Sequence, residues 1–222
     1  MTRLIRRRDE RGQSSLGEVM VTLLLLGIVM TFVYQAIDTT QYAIAGETQR
    51  LANLDEARTL MAVTTKDLRT ATRLVPGTSP FVSATYNDVT FYANLNNTTG
   101  GPRKIHIYVD SSSELIAQAW TPDAGSVSPN YTYTGTPVPR YVGQFVTNTT
   151  SAQPIFTYYG EPDQTTGIAP QLTAPLSASD LLAVYSVRVT LVVRKQTTLP
   201  GRPVTLINQV RLPNVDYQPP SS

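Results

Sequence analysis

The longest hydrophobic stretch of the chain lies near its beginning. Positions 19–37 are 19 residues without a formal charge, and the charges that border them are Glu18 and Asp38. A helix needs about 20 apolar residues to cross the hydrocarbon core of a bilayer. A core helix of a soluble protein normally keeps a polar stripe, whereas residues 23–26 are apolar on every helical face. The pattern therefore predicts a transmembrane helix over residues 13–38.

A helical period continues beyond this stretch, now with charged residues between the apolar ones. The apolar positions recur at steps of three, seven, seven and three residues: Leu51, Leu54, Met61, Leu68 and Ala71. No proline interrupts them before Pro76, which glycine follows. We therefore predict that the helix continues over residues 39–75 as an amphipathic segment, whose apolar stripe covers a domain built from the rest of the chain.

From residue 76 onward the pattern has a period of two, which is typical of strands. Strands are predicted over residues 88–95, 104–110 and 114–120, with turn glycines between the first two. Residues 121–140 are expected to form a long loop. Shorter strands are expected at 141–147 and 154–160. The clearest strand lies at 181–195, and residues 202–213 should pair with it as a hairpin. In that strand, apolar positions alternate with mostly polar ones. The apolar face is formed by Val187, Val189, Leu191 and Val193.

These elements predict an α+β fold, in which one long N-terminal helix packs on a mainly antiparallel β-sheet. The first half of that helix is transmembrane and the second half is amphipathic. Five segments follow along the chain. They are a basic leader (1–12), a transmembrane helix (13–38), an amphipathic helix that continues into the globular domain (39–75), a β-rich domain (76–217) and a tail (218–222).

The charge distribution excludes one class of partner and orients the helix. The chain has a net charge of +2, but five arginines and two acids give residues 1–12 a net +3 and leave −1 for the rest. With no basic patch beyond the leader, nucleic acid is not an expected partner. Arginines ahead of the apolar stretch place the N-terminus in the cytoplasm and the domain outside. The chain has no cysteine, which rules out disulfides and thiolate metal sites. No cofactor is expected.

The order of residues at the start of the chain resembles a known signal. A short arginine-rich leader ends in Gly12; small polar residues, Glu18 and an apolar helix follow. This resembles the class III signal of type IV pilins and pseudopilins, over about the first fifth of the chain. The later segments "TTKDLRTATRL", "FTYYG" and "DLLAVYSVRVTLVVRKQTTLPGRPVTLINQVRL" look like the J-class minor pseudopilins and related minor pilins.

The resemblance implies a pilin-like fold and an assembly mechanism. A prepilin peptidase would cut after Gly12, and the new N-terminus at Gln13 would be N-methylated. The mature protein would wait in lipid as a single-pass protein of the cytoplasmic (inner) membrane. It would then join other pilin or pseudopilin subunits through its N-terminal helix, in a filament at the cell surface or in the periplasm. In this family an acid five residues into the mature chain neutralises the terminal ammonium of a neighbouring subunit, and Glu18 resembles that acid.

The spacing departs from the family pattern by one residue. Cleavage after Gly12 makes Glu18 the sixth residue of the mature chain, and Glu18 is the fifth only if cleavage follows Gln13. One residue of helix corresponds to about 1.5 Å of rise and 100° of rotation. We expect cleavage after Gly12, because the peptidase reads a small residue there, with slight unwinding at Gly17 that lets the acid reach its partner. The other interpretation of Glu18 is an interfacial acid in the first turn of a helix.

The sequence offers no constellation typical of an enzyme. His106, the one histidine, lies on a predicted strand, and no G-x-S-x-G nucleophile elbow accompanies it. Glu161 and Asp163 lack the spacing of an EF-type calcium loop, and we interpret them as turn residues. Six aromatic residues either fill the core and edges of the sheet or form a contact surface for another minor subunit or a secreted partner: Tyr131, Tyr133, Tyr141, Phe145, Tyr158 and Tyr159.

Two functions of different classes remain open from the sequence. The first is a non-enzymatic minor pilin or pseudopilin subunit that initiates or caps a filament. That filament is a type IV pilus, a type II secretion pseudopilus or a competence structure, and the sequence does not distinguish them. The second is a signal-anchored extracytoplasmic binding module, such as an adhesin, with no role in a filament.

Overall fold

The computed structural model describes residues 13–95, 100–195 and 202–213, with side chains from residue 16 onward. The predicted leader and tail therefore lie outside the described residues. The chain forms two compact units, Met1–Glu47 and Thr48–Ser222. The elements are two helices, α1 (Gln13–Arg69) and α2 (Ala178–Ala183), and the strands β1 (Phe81–Ala84), β2 (Asp88–Ala93), β3 (Arg103–Val109), β4 (Leu115–Trp120), β5 (Val138–Gly143), β6 (Phe156–Tyr159), β7 (Gln171–Leu172), β8 (Ser186–Val193) and β9 (Val204–Arg211).

The strands form two antiparallel sheets. The first has the order β1-β2-β3-β4-β5, so each strand pairs with the next along the chain. The second has the order β7-β6-β8-β9, and the hairpin of β8 and β9 pairs eight residues without a register shift. The predicted α+β fold, a long N-terminal helix packed on antiparallel β-structure, is confirmed. The division into two sheets was not predicted.

One hydrophobic core joins the second part of α1 to both sheets. Large, fully buried side chains come from the helix (Leu60 and Leu68), the first sheet (Phe91) and the second sheet (Tyr158 and Leu191). The alternation predicted for β8 is confirmed. The four residues assigned to its inner face are all buried: Val187, Val189, Leu191 and Val193.

The buried face of α1 differs from the predicted stripe. Leu51 is 59% exposed, although Met61, Leu68 and Ala71 are buried as expected. The buried face contains small and polar residues in place of the leucine at position 51. Its positions, spaced four, three, four and three residues apart, are Asn53, Ala57, Leu60, Thr64 and Asp67. The predicted stripe began at Leu51, whereas the buried face begins at Asn53, because polar residues take part in the packing of this helix.

Polar residues on this face of α1 bind the ends of strands. The Oδ1 atom of Asn53 accepts a hydrogen bond from the backbone N–H of Lys195 (3.2 Å), and Nδ2 donates to the carbonyl of Arg202 (3.3 Å). Lys195 follows β8 and Arg202 precedes β9, so Asn53 holds both ends of that hairpin connection. Glu56 Oε1 accepts from the backbone N–H of Gln144 (2.8 Å), just after β5. The helix is thus hydrogen-bonded to both sheets.

Helix α1 ends at Arg69, six residues before the predicted boundary at residue 75. The chain leaves the helix there to pair with the end of β2. Thr72 N–H donates to the carbonyl of Tyr92 (2.8 Å), and Asn94 N–H donates to the carbonyl of Thr70 (2.9 Å). Because residues 70 and 72 pair with the end of β2, the helix ends before it reaches Pro76.

Several predicted strand boundaries were wrong. Residues 181–183, assigned to the long strand, belong to helix α2, which begins with a capping box between Ser177 and Asp180. Strand β5 begins inside the predicted loop and ends earlier than the predicted strand at 141–147. Strands β1 and β7 were not predicted, and both are short.

A buried ion pair joins α1 to strand β5. The Asp67 side chain is 2% exposed and accepts a hydrogen bond from the guanidinium of Arg140, whose own side chain is 52% exposed. Burial raises the pKa of Asp67 above its usual value, and the neighbouring guanidinium opposes that effect only in part. The folded protein therefore binds a proton at Asp67 more readily than the unfolded chain does.

Replacing Arg140 with methionine should lower the free energy of unfolding at pH 7 by about 3 kcal/mol, because it leaves a buried carboxylate without its cation. This is the lower end of the range for a buried pair, since Arg140 itself is half exposed. The pKa of Asp67 in the folded state then rises further. The stability associated with a raised carboxyl pKa is present when the group is protonated and is lost as the pH rises through that pKa. The loss of stability caused by Arg140→Met should therefore shrink as the pH falls toward 3.8, the pKa of Asp67 in the unfolded chain.

Urea denaturation of the full chain in detergent micelles at pH 7 and at lower pH measures this effect. Arg58→Met is the matched control, because it removes an exposed ion pair with Asp55 from the same helix and should cost about 0–1 kcal/mol. An Arg140→Met deficit no larger than that of the control at pH 7 would contradict the assignment.

Candidate functional site

The apolar part of α1 is exposed along its whole length. An 18-residue window of this helix has a mean hydropathy of 2.3, and none of it is buried. Its large side chains are highly exposed, for example Phe32 at 66% and Tyr34 at 74%. The core helix of a soluble protein would be mostly buried. This helix is long and apolar enough to cross a membrane, and such a surface is favourable only against lipid or other apolar helices.

The threonine hydroxyl groups in and just after this segment are satisfied within the helix itself. Each of four threonines donates to the carbonyl four residues earlier, at 2.7 or 2.8 Å. The pairs are Thr22 with Glu18, Thr31 with Gly27, Thr39 with Gln35, and Thr40 with Ala36. In hydrocarbon a polar group without a partner is costly, and this back-bonding removes that cost. The threonines are therefore compatible with a membrane-spanning helix.

Glu18 is the one charged side chain at the start of this apolar surface. It is exposed, and no hydrogen-bonding or ionic partner for its carboxylate lies within residues 13–95, 100–195 and 202–213. Of the residues predicted for processing, Gly12 lies outside the described residues, and Gln13 is the first residue of α1. The helix runs without interruption through Gly17, so the unwinding expected there after cleavage stays a prediction.

The position of Glu18 on the helix relative to the first residue of the mature chain depends on the cleavage site. From Gln13 to Glu18 the helix advances five residues, a rise of about 7.5 Å and a net rotation of about 140°. If the mature chain began at residue 14, Glu18 would lie four residues further on, after a rise of about 6 Å and a net rotation of about 40°. An ammonium at Gln13 and the Glu18 carboxylate therefore lie on nearly opposite sides of one helix. A pair between neighbouring subunits would need a different axial register from that of the usual spacing.

The six aromatic residues separate into two groups. Tyr158 and Tyr159 are buried, and Phe145 packs against the core, as expected for core residues. Tyr133 lies outside the core: its ring is 5.5 Å from that of Tyr92, and its hydroxyl donates to the carbonyl of Pro102 (2.7 Å). Tyr131 lies beside the same turn, against Gly101, where a Cβ atom would overlap the ring, and Tyr141 is largely exposed. Tyr141 lies on the edge strand β5, and a contact surface formed by the exposed aromatic residues stays a prediction.

His106 and Asp163 both have structural partners. The imidazole of His106 stacks on Tyr108 at 4.7 Å, and its Nε2 lies 3.6 Å from Oδ1 of Asp88. Burial lowers the pKa of His106, and Asp88 opposes this. Asp163 Oδ1 accepts from the backbone N–H groups of residues 165 and 166 (2.8 Å each), bonds that lower its pKa and form the predicted turn. Across the described ranges no group of three or more His, Cys, Asp or Glu residues could hold a metal ion.

Comparison with known proteins provides no assignment for this chain. No protein-family model matches it, no curated protein matches it, and no solved structure matches it. The resemblance to pilins therefore rests on the sequence alone, in the predicted leader, Glu18, the apolar helix and the later segments quoted above, and it stays a prediction. The candidate site consists of the predicted leader, Glu18 and the apolar helix.

The exposed apolar surface predicts that the full chain fractionates with membranes and resists alkaline extraction. Arginines in place of Leu25 and Ile28, at the middle of the apolar stretch, should together cost about 5–7 kcal/mol of insertion free energy. Most of the double variant should then appear in the extracted fraction. Ala52→Arg with Thr59→Arg, at exposed positions of the same helix, is the matched control and should remain in the pellet. Equal extraction of both variants would contradict a membrane-spanning segment.

Proposed function

We propose that this chain is a non-enzymatic minor pilin or pseudopilin subunit. Its α1 segment anchors it in the cytoplasmic membrane with the N-terminus inside, and a prepilin peptidase removes the leader after Gly12. The processed, N-methylated chain then enters a type IV pilus or a type II secretion pseudopilus, or a related competence filament. One observation carries the proposal: the Glu18 carboxylate, which has no partner among the described residues, lies at the start of an exposed apolar helix, behind an arginine-rich sequence that ends in glycine.

The Glu18 carboxylate is costly to bury in a membrane or in a bundle of helices without a partner of opposite charge. A charged side chain costs roughly 2.5 kcal/mol or more when it enters hydrocarbon, so intramembrane acids normally have a partner. The described residues supply none for Glu18. Cleavage after Gly12 would create an ammonium group at Gln13, close to the same membrane surface. Pairing that ammonium with the Glu18 of a neighbouring subunit compensates the desolvation of both charges and fixes an axial register.

The exposed apolar surface fits both stages of this proposed life cycle. Before assembly, lipid covers the segment, whose threonine hydroxyls are already satisfied. After assembly, the same surface packs against the helices of other subunits. The domain beyond residue 47 includes the second part of α1, and it has its own hydrophobic core and hydrogen bonds between that helix and the strands. Its folding therefore does not require the filament. We place the subunit at the start or tip of the filament because the resemblance is to minor subunits.

Replacing Gly12 with leucine should abolish leader removal, because the peptidase reads a small residue at that position. Intact-mass measurement of the wild-type protein should show a chain that begins at Gln13 and carries one added methyl group. Gly12→Leu should show a chain that begins at Met1. Gly17→Ala is the control, since a methyl group there meets no atom within 4 Å, and this variant should be processed normally. A wild-type chain that begins at Ser14, or one that keeps Met1, would contradict cleavage after Gly12.

Replacing Glu18 with glutamine should leave cleavage intact and reduce the amount of subunit in sheared filaments at least tenfold, because an ammonium then loses its buried partner. Asp55→Asn, an exposed acid further along the same helix, is the matched control and should assemble normally. Immunoblots of filament and membrane fractions measure the ratio. A surface-exposed, fully functional chain that is never processed would favour the alternative, a signal-anchored binding module or adhesin.

A further inference from the structure

A pocket opens on the second sheet where strand β7 stops pairing with β6. The two residues of β7, Gln171 and Leu172, pair with the end of β6. The chain then leaves the sheet, because the backbone N–H of Leu176 donates to the carbonyl of Ala84 in β1 (2.9 Å). Among the described residues, the first half of β6 is therefore left without a neighbouring strand on that side.

Main-chain hydrogen bonds also fix the segments that complete this pocket. The backbone N–H groups of Ile155 and Phe156 both donate to the carbonyl of Tyr86, at 2.8 and 3.0 Å. A turn just before them is closed by the N–H of Gln153, which donates to the carbonyl of Thr150 (3.0 Å). Between these segments and the end of β7 lies a cavity of about 240 Å³. Because main-chain bonds hold its lining in place, the pocket is formed before any ligand binds.

The polar side chains of the lining are mostly unpartnered. The hydroxyl of Tyr158 donates to the carbonyl of Thr85 (2.8 Å) and is satisfied. Five other polar side chains line the pocket and have no hydrogen-bond partner within residues 13–95, 100–195 and 202–213: Tyr86, Ser151, Thr157, Gln171 and Thr173. Hydroxyl and amide groups can each donate and accept hydrogen bonds. The lining therefore offers donors and acceptors together in one small space.

The lining carries no charge. The ten residues that form it include no aspartate, glutamate, lysine, arginine or histidine. A charged ligand would lose its hydration here without gaining an opposite charge. A wholly apolar ligand would cover the polar groups and leave them unpaired, which is also costly. The lining therefore favours a neutral ligand that carries several hydroxyl groups.

The volume of the pocket restricts the ligand to about one ring. Pockets for drug-sized ligands measure about 300–1,000 Å³, and this one is smaller. Pro154, Leu172 and Ala174 add apolar surface to the lining. A sugar ring has hydroxyl groups around its rim and C–H groups on its faces, so it matches both the polar and the apolar parts of this lining.

We propose that this pocket binds one neutral sugar ring. The ring hydroxyls exchange hydrogen bonds with Thr157, Gln171 and Thr173, and the C–H groups lie against Pro154 and Leu172. Free sugars and the terminal units of glycans share this chemistry. Binding here goes beyond the proposed filament role and requires neither leader cleavage nor the Glu18 pair.

Titrations of the ¹⁵N-labelled full chain, followed by NMR, test the proposal. The chain is kept in dodecylphosphocholine micelles, because detergents with sugar headgroups would compete for the pocket. The probes are the methyl glycosides of glucose, galactose and mannose. At least one should shift the backbone amides of Thr157, Gln171 and Thr173 and saturate in the millimolar range.

Two matched ligands test the chemistry of recognition. The methyl glycoside of the corresponding uronic acid has the same ring with a carboxylate, and cyclohexanol has a six-membered ring with one hydroxyl group. Both should bind at least about tenfold more weakly than the neutral glycoside, because one brings an uncompensated charge and the other leaves polar groups of the lining unpaired.

Two variants test the lining itself. Thr157→Val keeps the branched shape of the side chain and removes its hydroxyl, and Gln171→Leu removes an amide. Each should weaken binding of the glycoside at least about fivefold, because a ligand hydroxyl loses its partner. Thr205→Val, at an exposed threonine of β9 that does not line the pocket, is the control and should bind like the wild type. Urea denaturation of all three variants establishes that the domain is folded.

A linear trisaccharide of the same hexose separates the two sources of the ligand. Binding as tight as that of the methyl glycoside would identify the terminal unit of a glycan, and binding at least about tenfold weaker would identify a free sugar. The proposal would be overturned by the absence of saturable shifts with all three glycosides, by equal binding of the uronate or cyclohexanol, or by shifts confined to residues outside the pocket. Failure of leader cleavage would affect the filament proposal alone.

Discussion

The polar groups of helix α1 all require partners, and this requirement governs both units of the molecule. In the second unit, Asn53, Glu56 and Asp67 lie on a face that packs on the sheets, and each receives a hydrogen bond from a strand end or from Arg140. In the first unit, the threonines are satisfied by carbonyls of their own helix. Glu18 has no partner among the described residues. The buried hydroxyl of Thr64 has none either, but it carries no charge. The proposed function therefore begins from the Glu18 carboxylate.

The sequence patterns predicted those parts of the fold that depend on residues close together in the sequence. The alternation in β8 and the three strands β2, β3 and β4 were predicted because an alternating face is visible within a few residues. The end of α1 was placed too late because Thr72 pairs with Tyr92, a contact between residues 20 positions apart. The helical stripe was misplaced for a related reason. Asn53 is buried because the distant Lys195 and Arg202 satisfy its amide.

Features of one segment are visible in the sequence, whereas features that depend on strand order are not. Glu18 is visible in the sequence because a single charge borders a long apolar stretch. The position of β9 at the end of the described second sheet is not visible, because it depends on β6 lying on the other side of β8. The aromatic residues show the same limit. Tyr158 and Tyr133 look alike in sequence, yet one lies in the core and the other stacks on Tyr92 outside it.

The central claim is that the Glu18 carboxylate pairs with the terminal ammonium of a neighbouring subunit in an assembled filament. Solid-state NMR of filaments measures this contact directly, when subunits labelled with ¹³C at the glutamate carboxylates are mixed with subunits labelled with ¹⁵N. The account predicts a contact between Glu18 Cδ and the terminal nitrogen of Gln13 in a different subunit, with nitrogen and oxygen within about 4 Å. A terminal nitrogen that belongs to Met1, or one with no contact to Glu18, would contradict it.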